Sequence, residues 1–326
     1  MTITLILCTY NRANSISTAL ESVLASIVPA GVDWEVLIVD NNSKDKTRNV
    51  IEAFCSRYPG RVRYLLEPKQ GLSNARNAGI SAARGRVVAF TDDDVTVEPK
   101  WLQSLTRPLL DNQCAGTAGR ILLGEFQPPS WLAISGPHNL GGSLVQFDLG
   151  DEPVLLDRAP FGASMAFQKS VFERFGGFRT DLGRSGKSLI GNEDTEFGMR
   201  LIAGGLRLLY VPQAVVYHPV LKERLTKKYF RSYWFGLGRA LVRQREVRHP
   251  FWKVPRMYVK EFRQRLHWMK VDDPRWYRKP QGRFYCEMHA LQALGQIVEG
   301  WSQSMQNRHT PKSATPPKSD LTQKVL

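Results

Sequence analysis

Four short apolar runs, separated by segments with helical periodicity, fill most of the first 92 residues and constrain the fold more than any other feature of the chain. The runs are residues 3–7, 34–39, 62–66 and 86–91. Each has the continuous apolar character of a strand that is buried on both faces. Strands that alternate with helices at this spacing predict an α/β fold with a mostly parallel sheet, right-handed crossovers and flanking helices.

Clusters of polar residues follow three of these runs. Ligands of open α/β sheets bind beyond the carboxyl ends of the strands, so the clusters should share one rim. Such residues also cap helices and form turns, but three adjacent carboxylates repel one another unless a cation or strong donors offset them. A hard divalent cation is the natural partner. The clusters are Cys8-Thr9-Tyr10-Asn11-Arg12, Asp40-Asn41-Asn42-Ser43 and Asp92-Asp93-Asp94.

Several common sites are excluded by their missing residues. The acidic triplet lacks the Gly and Glu that complete an EF-hand loop, and the chain has neither a GxGxxG turn after the first strand nor a Walker A sequence. No apolar run approaches the ~18 residues of a membrane span, and the start does not resemble a secretory signal. The four cysteines are widely separated without a CxxC pair, which is typical of a reducing cytoplasm.

The net charge of +15 is concentrated in residues 222–285. This stretch holds 19 Lys and Arg against five Asp and Glu, with 14 of the 33 aromatic residues, whereas the first 221 residues hold 22 basic and 22 acidic residues. Such a stretch could contact nucleic acid, lie on an anionic membrane surface or pack on the front half. We expect three parts: a catalytic unit (1–221), a basic, aromatic-rich helical region (222–304) and a disordered tail (305–326).

The order of these segments resembles that of family 2 inverting glycosyltransferases with the GT-A fold. The resemblance rests on residues 9–12 and 40–43, on GLSNARNAG at 71–79, on Asp92 and Asp94, and on NEDTEF at 192–197. It covers about two-thirds of the chain, residues 1–218. It implies a GT-A-type sheet with a Rossmann-like nucleotide-binding half. It also implies sugar transfer with inversion from a nucleotide diphosphate sugar to an acceptor hydroxyl, with Mn²⁺ or Mg²⁺ as cofactor.

The resemblance also implies a role for each site residue. Asp40 would accept a hydrogen bond from the base, and Asp94 would bind the metal. His218 would be a third metal ligand or an ordinary polar residue at a strand end, and a one-residue slip within the acidic triplet stays open. The nucleotide-binding residues expected from the resemblance are Thr9, Tyr10, Asn11, Arg12, Asp40, Asn42, Arg76, Asp92 and Asp93.

Asp194 is the candidate general base. An inverting transfer needs a carboxylate that takes the acceptor's proton, and the resemblance places it on the second acid of the Glu193-Asp194 pair. An acidic pair at this position is also favoured by the helix dipole alone. Glu193 would orient the acceptor or the base. Residues 124–160 form a long segment without clear periodicity, which would either contact the acceptor or donor sugar or be a surface excursion.

The expected partners follow from the resemblance. A UDP-sugar is the expected donor, with GDP and dTDP sugars open, and the acceptor would be a saccharide or a lipid-linked saccharide of cell-surface polysaccharide or glycolipid synthesis. For the basic region we favour an anionic membrane surface over nucleic acid, which predicts a cytoplasmic protein associated with the inner face of the membrane. The alternatives are a sugar nucleotidyltransferase and a non-catalytic binding protein.

Overall fold

A nine-stranded mixed sheet forms the centre of the computed structural model, which describes residues 1–136, 138–184, 191–245, 253–272, 275 and 278–306. The strands are β1 (Ile3–Thr9), β2 (Trp34–Asp40), β3 (Val62–Leu66), β4 (Val87–Asp92), β5 (Thr96–Val97), β6 (Gly116–Leu123), β7 (Val154–Leu155), β8 (Met165–Gln168) and β9 (Leu208–His218). Their order is β3-β2-β1-β4-β8-β6-β9-β5, and β7 pairs with β9.

The helices connect and flank these strands. Within the described ranges they are α1 (Ile16–Leu24), α2 (Thr47–Arg57), α3 (Leu72–Ala82), α4 (Trp101–Leu110), α5 (Lys169–Phe175), α6 (Glu193–Ala203), α7 (Lys227–Gln244), α8 (Lys253–Asp272) and α9 (Pro280–Gln306). Two single 3₁₀ turns, Gly141–Leu144 and Lys222–Arg224, lie in the connections. Helices α2 and α3 pack on β1 to β3, and α4 packs on β6, β8 and β9.

The predicted fold class is confirmed. Strands β1 to β4 pair in parallel, and each begins and ends within two residues of its predicted apolar run. Strand β8 then pairs antiparallel with both β4 and β6, so the sheet is mixed rather than wholly parallel. Strand β9 pairs in parallel with β6 and has a register irregularity opposite Gly119 and Arg120.

A cluster of five phenylalanines fixes the position of α6, the helix that carries the acidic pair. The ring of Phe197 on α6 lies 5.1 Å from that of Phe172 on α5 and 4.8 Å from that of Phe178. Phe90 and Phe167 bring β4 and β8 into the same cluster. Because burying one such ring stabilises the fold by about 1.5–3 kcal/mol, the cluster holds the start of α6 firmly against the end of the sheet.

Helices α7 and α9 pack on each other and on the long segment that follows β6. Phe230 of α7 and Phe284 of α9 are buried against Leu132, Leu140 and Leu144 of that segment. Helix α9 extends to Gln306, and the rest of the predicted tail (307–326) lies outside the described residues. In the part of the chain that is described, no helix combines the length and the hydropathy that crossing a membrane requires.

Candidate active site

The end of β4 and the end of β9 bring three metal-ligating side chains together. Asp92 is the last residue of β4, and Asp93 and Asp94 follow in a turn. Strand β5 comes directly afterwards and pairs with the last residues of β9, which places His218 beside the turn. One ligand atom each from Asp92, Asp94 and His218 lie within 4.8 Å of one another. The topology therefore builds the cluster from segments more than 120 residues apart.

His218 has the protonation state that metal binding requires. Burial lowers the pKa of His218, although the carboxylate of Asp94 opposes this shift, so the neutral imidazole is favoured. Its Nδ1 lies 3.0 Å from the carbonyl oxygen of Pro219. When Nδ1–H donates to that carbonyl, the lone pair of Nε2 faces the Asp94 carboxylate, 3.7 Å away. A ligating histidine is usually oriented by a second hydrogen bond of this kind.

Two arginines also face the acidic turn. Arg12 and Arg224 approach the same Asp94 oxygen at 3.5 and 3.6 Å, and Arg224 lies 3.4 Å from Nε2 of His218. Arg12 also pairs with Asp93 at 3.4 Å. Burial nevertheless raises the pKa of Asp93 to about 7. Guanidinium groups thus offset part of the negative charge here, and the same groups can donate to phosphate oxygens.

Arg76 of α3 links the acidic turn to the acidic pair on α6. It is buried, and it donates to Glu193 at 2.8 Å while lying 3.7 Å from Asp92. Burial raises the pKa of both Glu193 and Asp92, and Arg76 counteracts each rise. A side chain at Gly162 would collide with the guanidinium group, so a larger residue there would force Arg76 to shift. The arginine fixes the relative position of the two acidic groups.

Asp194 lies in the first turn of α6 and faces the same cavity. One of its carboxylate oxygens accepts a hydrogen bond from the backbone N–H of Gly162 at 2.9 Å, and the other accepts from the N–H of Thr195 at 2.7 Å. The chain enters α6 through Asn192, which has a left-handed φ of 72°. Two backbone donors therefore orient the carboxylate of the candidate base.

These groups line one cavity of about 840 Å³. This volume is in the range of sites that bind cofactors and other medium-sized ligands. Ten of the predicted site residues contribute to its wall: Thr9, Tyr10, Arg12, Arg76, Asp92, Asp93, Asp94, Glu193, Asp194 and His218. The structure therefore brings most of the predicted residues together, although it does not test their individual roles.

Asn11, Asp40 and Asn42 are not among the residues that line this cavity. Asp40 is 2% exposed, and its two carboxylate oxygens accept hydrogen bonds from the Ser43 N–H at 2.9 Å and the Tyr64 hydroxyl at 3.1 Å. Asn11 and Asn42 both have left-handed backbone conformations. Asn11 accepts a hydrogen bond from the backbone N–H of Lys44, so it ties together the loops that follow β1 and β2. Their roles in binding the nucleotide stay predictions.

One wall of the cavity comes from the basic region and was missed by the sequence reasoning. Four side chains on one face of α7 line it, and their i, i+1, i+4, i+8 spacing is the signal that could have found them. From its basic and aromatic composition, a membrane-facing surface was favoured for this stretch, with packing on the front half as an alternative. The missed lining residues include Arg184, Arg224, Tyr233, Trp234, Leu237, Leu241 and Gln292.

Comparison with proteins of known sequence and structure gives consistent results. A glucosyl-dolichyl phosphate glucuronosyltransferase of Haloferax volcanii is 28% identical over 257 residues, which cover 74% of this chain and 77% of the relative. The succinoglycan biosynthesis protein ExoM of Rhizobium meliloti is 28% identical over 233 residues, which cover 69% of this chain and 71% of the relative.

A solved structure with a similar fold is the mannosyltransferase PcManGT from Pyrobaculum calidifontis, in complex with GDP-Man and Mn²⁺. It has a TM-score of 0.55 and 19% sequence identity, and the match covers 93% of this chain and 75% of that chain. At this identity the likeness shows the fold alone. The model of the family described as glycosyl transferase family 2 matches residues 4–168, which is half of the sequence. The chain is therefore a glycosyltransferase and belongs to family 2.

Proposed function

We propose that this glycosyltransferase moves a sugar from a nucleotide diphosphate sugar to an acceptor hydroxyl with inversion and with the help of a divalent cation. The observation that carries the proposal is that the Asp92–Asp94–His218 cluster and the Asp194 carboxylate line the same cavity. A direct displacement needs a site that stabilises the leaving group of the donor and, close to it, a base that takes the proton of the acceptor hydroxyl. This cavity offers candidate groups for both.

The residues present fit a divalent cation. Asp92, Asp94 and the neutral His218 would hold it, and a mixed set of oxygen and nitrogen ligands suits Mn²⁺ better than the oxygen-only preference of Mg²⁺. When bound, the ion stabilises the negative charge that develops on the diphosphate leaving group. Arg12 and Arg224 flank the cluster and can donate hydrogen bonds to phosphate oxygens. Arg76 keeps Asp92 and Glu193 in place through its two contacts.

Asp194 takes the proton from the acceptor hydroxyl in this proposal. Its two backbone hydrogen bonds hold it in one orientation at the start of α6. Glu193 acts through Arg76 as a positioning residue.

The donor nucleotide is assigned to the β1 and β4 side of the cavity, where Thr9, Tyr10 and Arg12 lie. The family resemblance favours UDP, whereas the mannosyltransferase named above binds GDP-Man. A thermal-shift series of UDP, GDP and dTDP with and without Mn²⁺ distinguishes these donors, because at equal concentration the ligand that binds the folded state most tightly stabilises it most.

The proposed base is tested by Asp194→Asn. The transfer rate should fall by about 10²–10⁴-fold, the usual contribution of a general base, while nucleotide binding in Mn²⁺ stays unchanged. Transfer is measured with UDP- and GDP-sugars on free and lipid-linked saccharides, and NMR of the product reports the anomeric configuration. Asp157→Asn is the control, because Asp157 is an exposed acid that does not line the cavity. Loss of nucleotide binding in Asp194→Asn, or a product with retained configuration, would contradict the proposal.

We assign the reaction to polysaccharide or glycolipid synthesis, because the two relatives named above carry glycolipid and polysaccharide substrates or products in their names. An exposed row of four cations on α8 supports association with an anionic membrane surface: Lys253, Arg256, Lys260 and Arg263. Each such cation contributes about 1 kcal/mol to binding near anionic lipid. Replacing all four with Gln should reduce sedimentation with phosphatidylglycerol vesicles. Equal sedimentation of variant and parent would refute this part.

A further inference from the structure

The cavity contains four arginines, and one of them differs from the others. Arg12, Arg76 and Arg224 each contact a carboxylate within 4.0 Å. Arg184 also lines the cavity, but its guanidinium group makes no ion pair or hydrogen bond with any residue in the described ranges. A cation partly removed from water is costly unless it is paired. Arg184 therefore has a charge that is available to an anionic ligand.

The position of Arg184 is fixed by its neighbours. Its carbonyl oxygen accepts a hydrogen bond from the N–H of Leu72 at 3.0 Å, at the start of α3. Two residues earlier, Leu182 is buried against Ala240 of α7. The guanidinium group lines the cavity together with Glu193 and Tyr233. Burial opposes its charge, but the neighbouring side chains, first those of Tyr229 and Tyr233 and then those of Glu193 and Asp92, raise its pKa overall.

Tyr233 adds a second donor at the same place. Burial raises the pKa of its hydroxyl to about 12, so the phenol stays protonated. Within the described part of the chain, that hydroxyl makes no hydrogen bond. A phosphate group accepts several hydrogen bonds and favours arginine. Arg184 and Tyr233 together offer a positive charge and hydrogen-bond donors to a single phosphate.

An apolar wall continues from this pair along α7. Leu237 and Leu241 lie one and two helical turns beyond Tyr233 and face the cavity, and Leu140 and Val145 line it from the segment after β6. The Trp234 indole N–H donates to Ser143 at 3.0 Å, so its one polar atom is already used. A ligand that carries an apolar chain next to a phosphate matches this combination of surfaces.

We propose that Arg184 and Tyr233 form an acceptor subsite for a phosphate that is joined to an apolar chain, so that the acceptor is a saccharide linked to a lipid phosphate. This rests on the proposed function, because it takes Asp194 as the base that faces the acceptor hydroxyl. The donor diphosphate is assigned to the other side of Arg76, beside Arg12 and Arg224. Tyr233 and Asp194 line the same cavity, as this assignment requires.

The test is calorimetric binding of farnesyl phosphate, farnesol and inorganic phosphate to the full chain, below the critical micelle concentration. The parent chain should bind farnesyl phosphate at least tenfold more tightly than either of the other two probes. Arg184→Gln should reduce its affinity to that for farnesol and leave nucleotide binding in Mn²⁺ unchanged. Arg184→Lys should retain part of the preference. Arg207→Gln is the matched control, because Arg207 is exposed and does not line the cavity.

Three outcomes would overturn the inference. If farnesyl phosphate and farnesol bind equally well, the subsite does not recognise the phosphate. If inorganic phosphate binds as tightly as farnesyl phosphate, the subsite does not recognise the apolar chain. A loss of nucleotide binding in Arg184→Gln as large as its loss of farnesyl phosphate binding would assign Arg184 to the donor. The binding assay needs no sugar transfer. A parent chain that binds farnesyl phosphate but no nucleotide diphosphate would therefore refute the proposed function alone.

Discussion

The two sides of the cavity differ in how their charges are satisfied. On the sheet side, Arg12 and Arg76 pair with the acids that follow or end β4, so cations and carboxylates compensate one another. On the helical side, α7 presents mainly apolar and aromatic side chains, and Arg184 stands without a carboxylate partner among the described residues. A compensated cluster suits a ligand that brings its own cation and diphosphate. An uncompensated cation beside an apolar wall suits an amphiphile with one anionic group.

The two sides of the cavity also come largely from different parts of the sequence. Arg12, Arg76 and the acidic turn lie within the segment that matches the family model, whereas α7 lies beyond residue 168. His218 and Arg224 join the sheet side from beyond that segment. Changes on the sheet side should therefore affect metal and nucleotide binding, and changes on the helical side should affect the acceptor. A change on one side that also alters binding on the other side would contradict this separation.

Asp94→Ala should have the largest effect. Loss of an outer-shell partner commonly lowers metal affinity by about 10–100-fold, so loss of a ligand itself should exceed about 100-fold. Titration of Mn²⁺ alone, followed by electron paramagnetic resonance, measures this effect. Asp93→Asn is the matched comparison, since Asp93 is adjacent but outside the three-residue cluster, and its Mn²⁺ affinity should change little. A stronger effect of Asp93→Asn would mean that the ligand assignment is displaced by one residue.

The first four strands could be predicted because their signal is local. A strand buried on both faces needs a continuous apolar run, and residues 34–39 are such a run whatever surrounds them. Strand β8 could not be placed in the same way. Its position between β4 and β6, and its antiparallel direction, depend on pairings with residues about 50 to 80 positions away. The small residues Gly162, Ala163 and Ser164 form the turn before β8, where Gly162 makes room for Arg76.

In the candidate site, too, the residues in local motifs could be predicted and those placed by long-range packing could not. Asp92, Asp94 and Asp194 could be proposed because each lies in a short motif whose order resembles a family. Tyr233 and Trp234 could not, because an amphipathic aromatic helix has the same pattern whether it faces lipid or another part of its own chain. The packing of Phe230 and Phe284 on Leu140, together with the hydrogen bond from Trp234 to Ser143, shows that this face of α7 is turned inward.

The pH dependence of stability should sharpen the description of the sheet side. The pKa of Asp93 is about 7 in the folded chain against 3.8 in the unfolded chain. Between these values the folded state holds a proton that the unfolded state releases, so stability falls as pH rises. In EDTA, Asp93→Asn should lose less free energy of unfolding between pH 5 and 8 than the parent, by on the order of 2 kcal/mol. Urea unfolding at both pH values measures this difference, and parallel losses in the two proteins would contradict it.

Trp234→Phe should have the smallest effect and should act on the helical side alone. The substitution keeps an aromatic ring but removes the hydrogen bond to Ser143, which ties α7 to the segment after β6. A bond of this kind contributes about 1 kcal/mol to the free energy of unfolding. Because the segment after β6 forms the opposite wall of the acceptor side, KM for the acceptor should rise a few-fold while nucleotide affinity stays unchanged. If nucleotide affinity in Mn²⁺ fell in parallel with acceptor KM, the two sides would not be separable, since a change confined to α7 would have reached the strand ends.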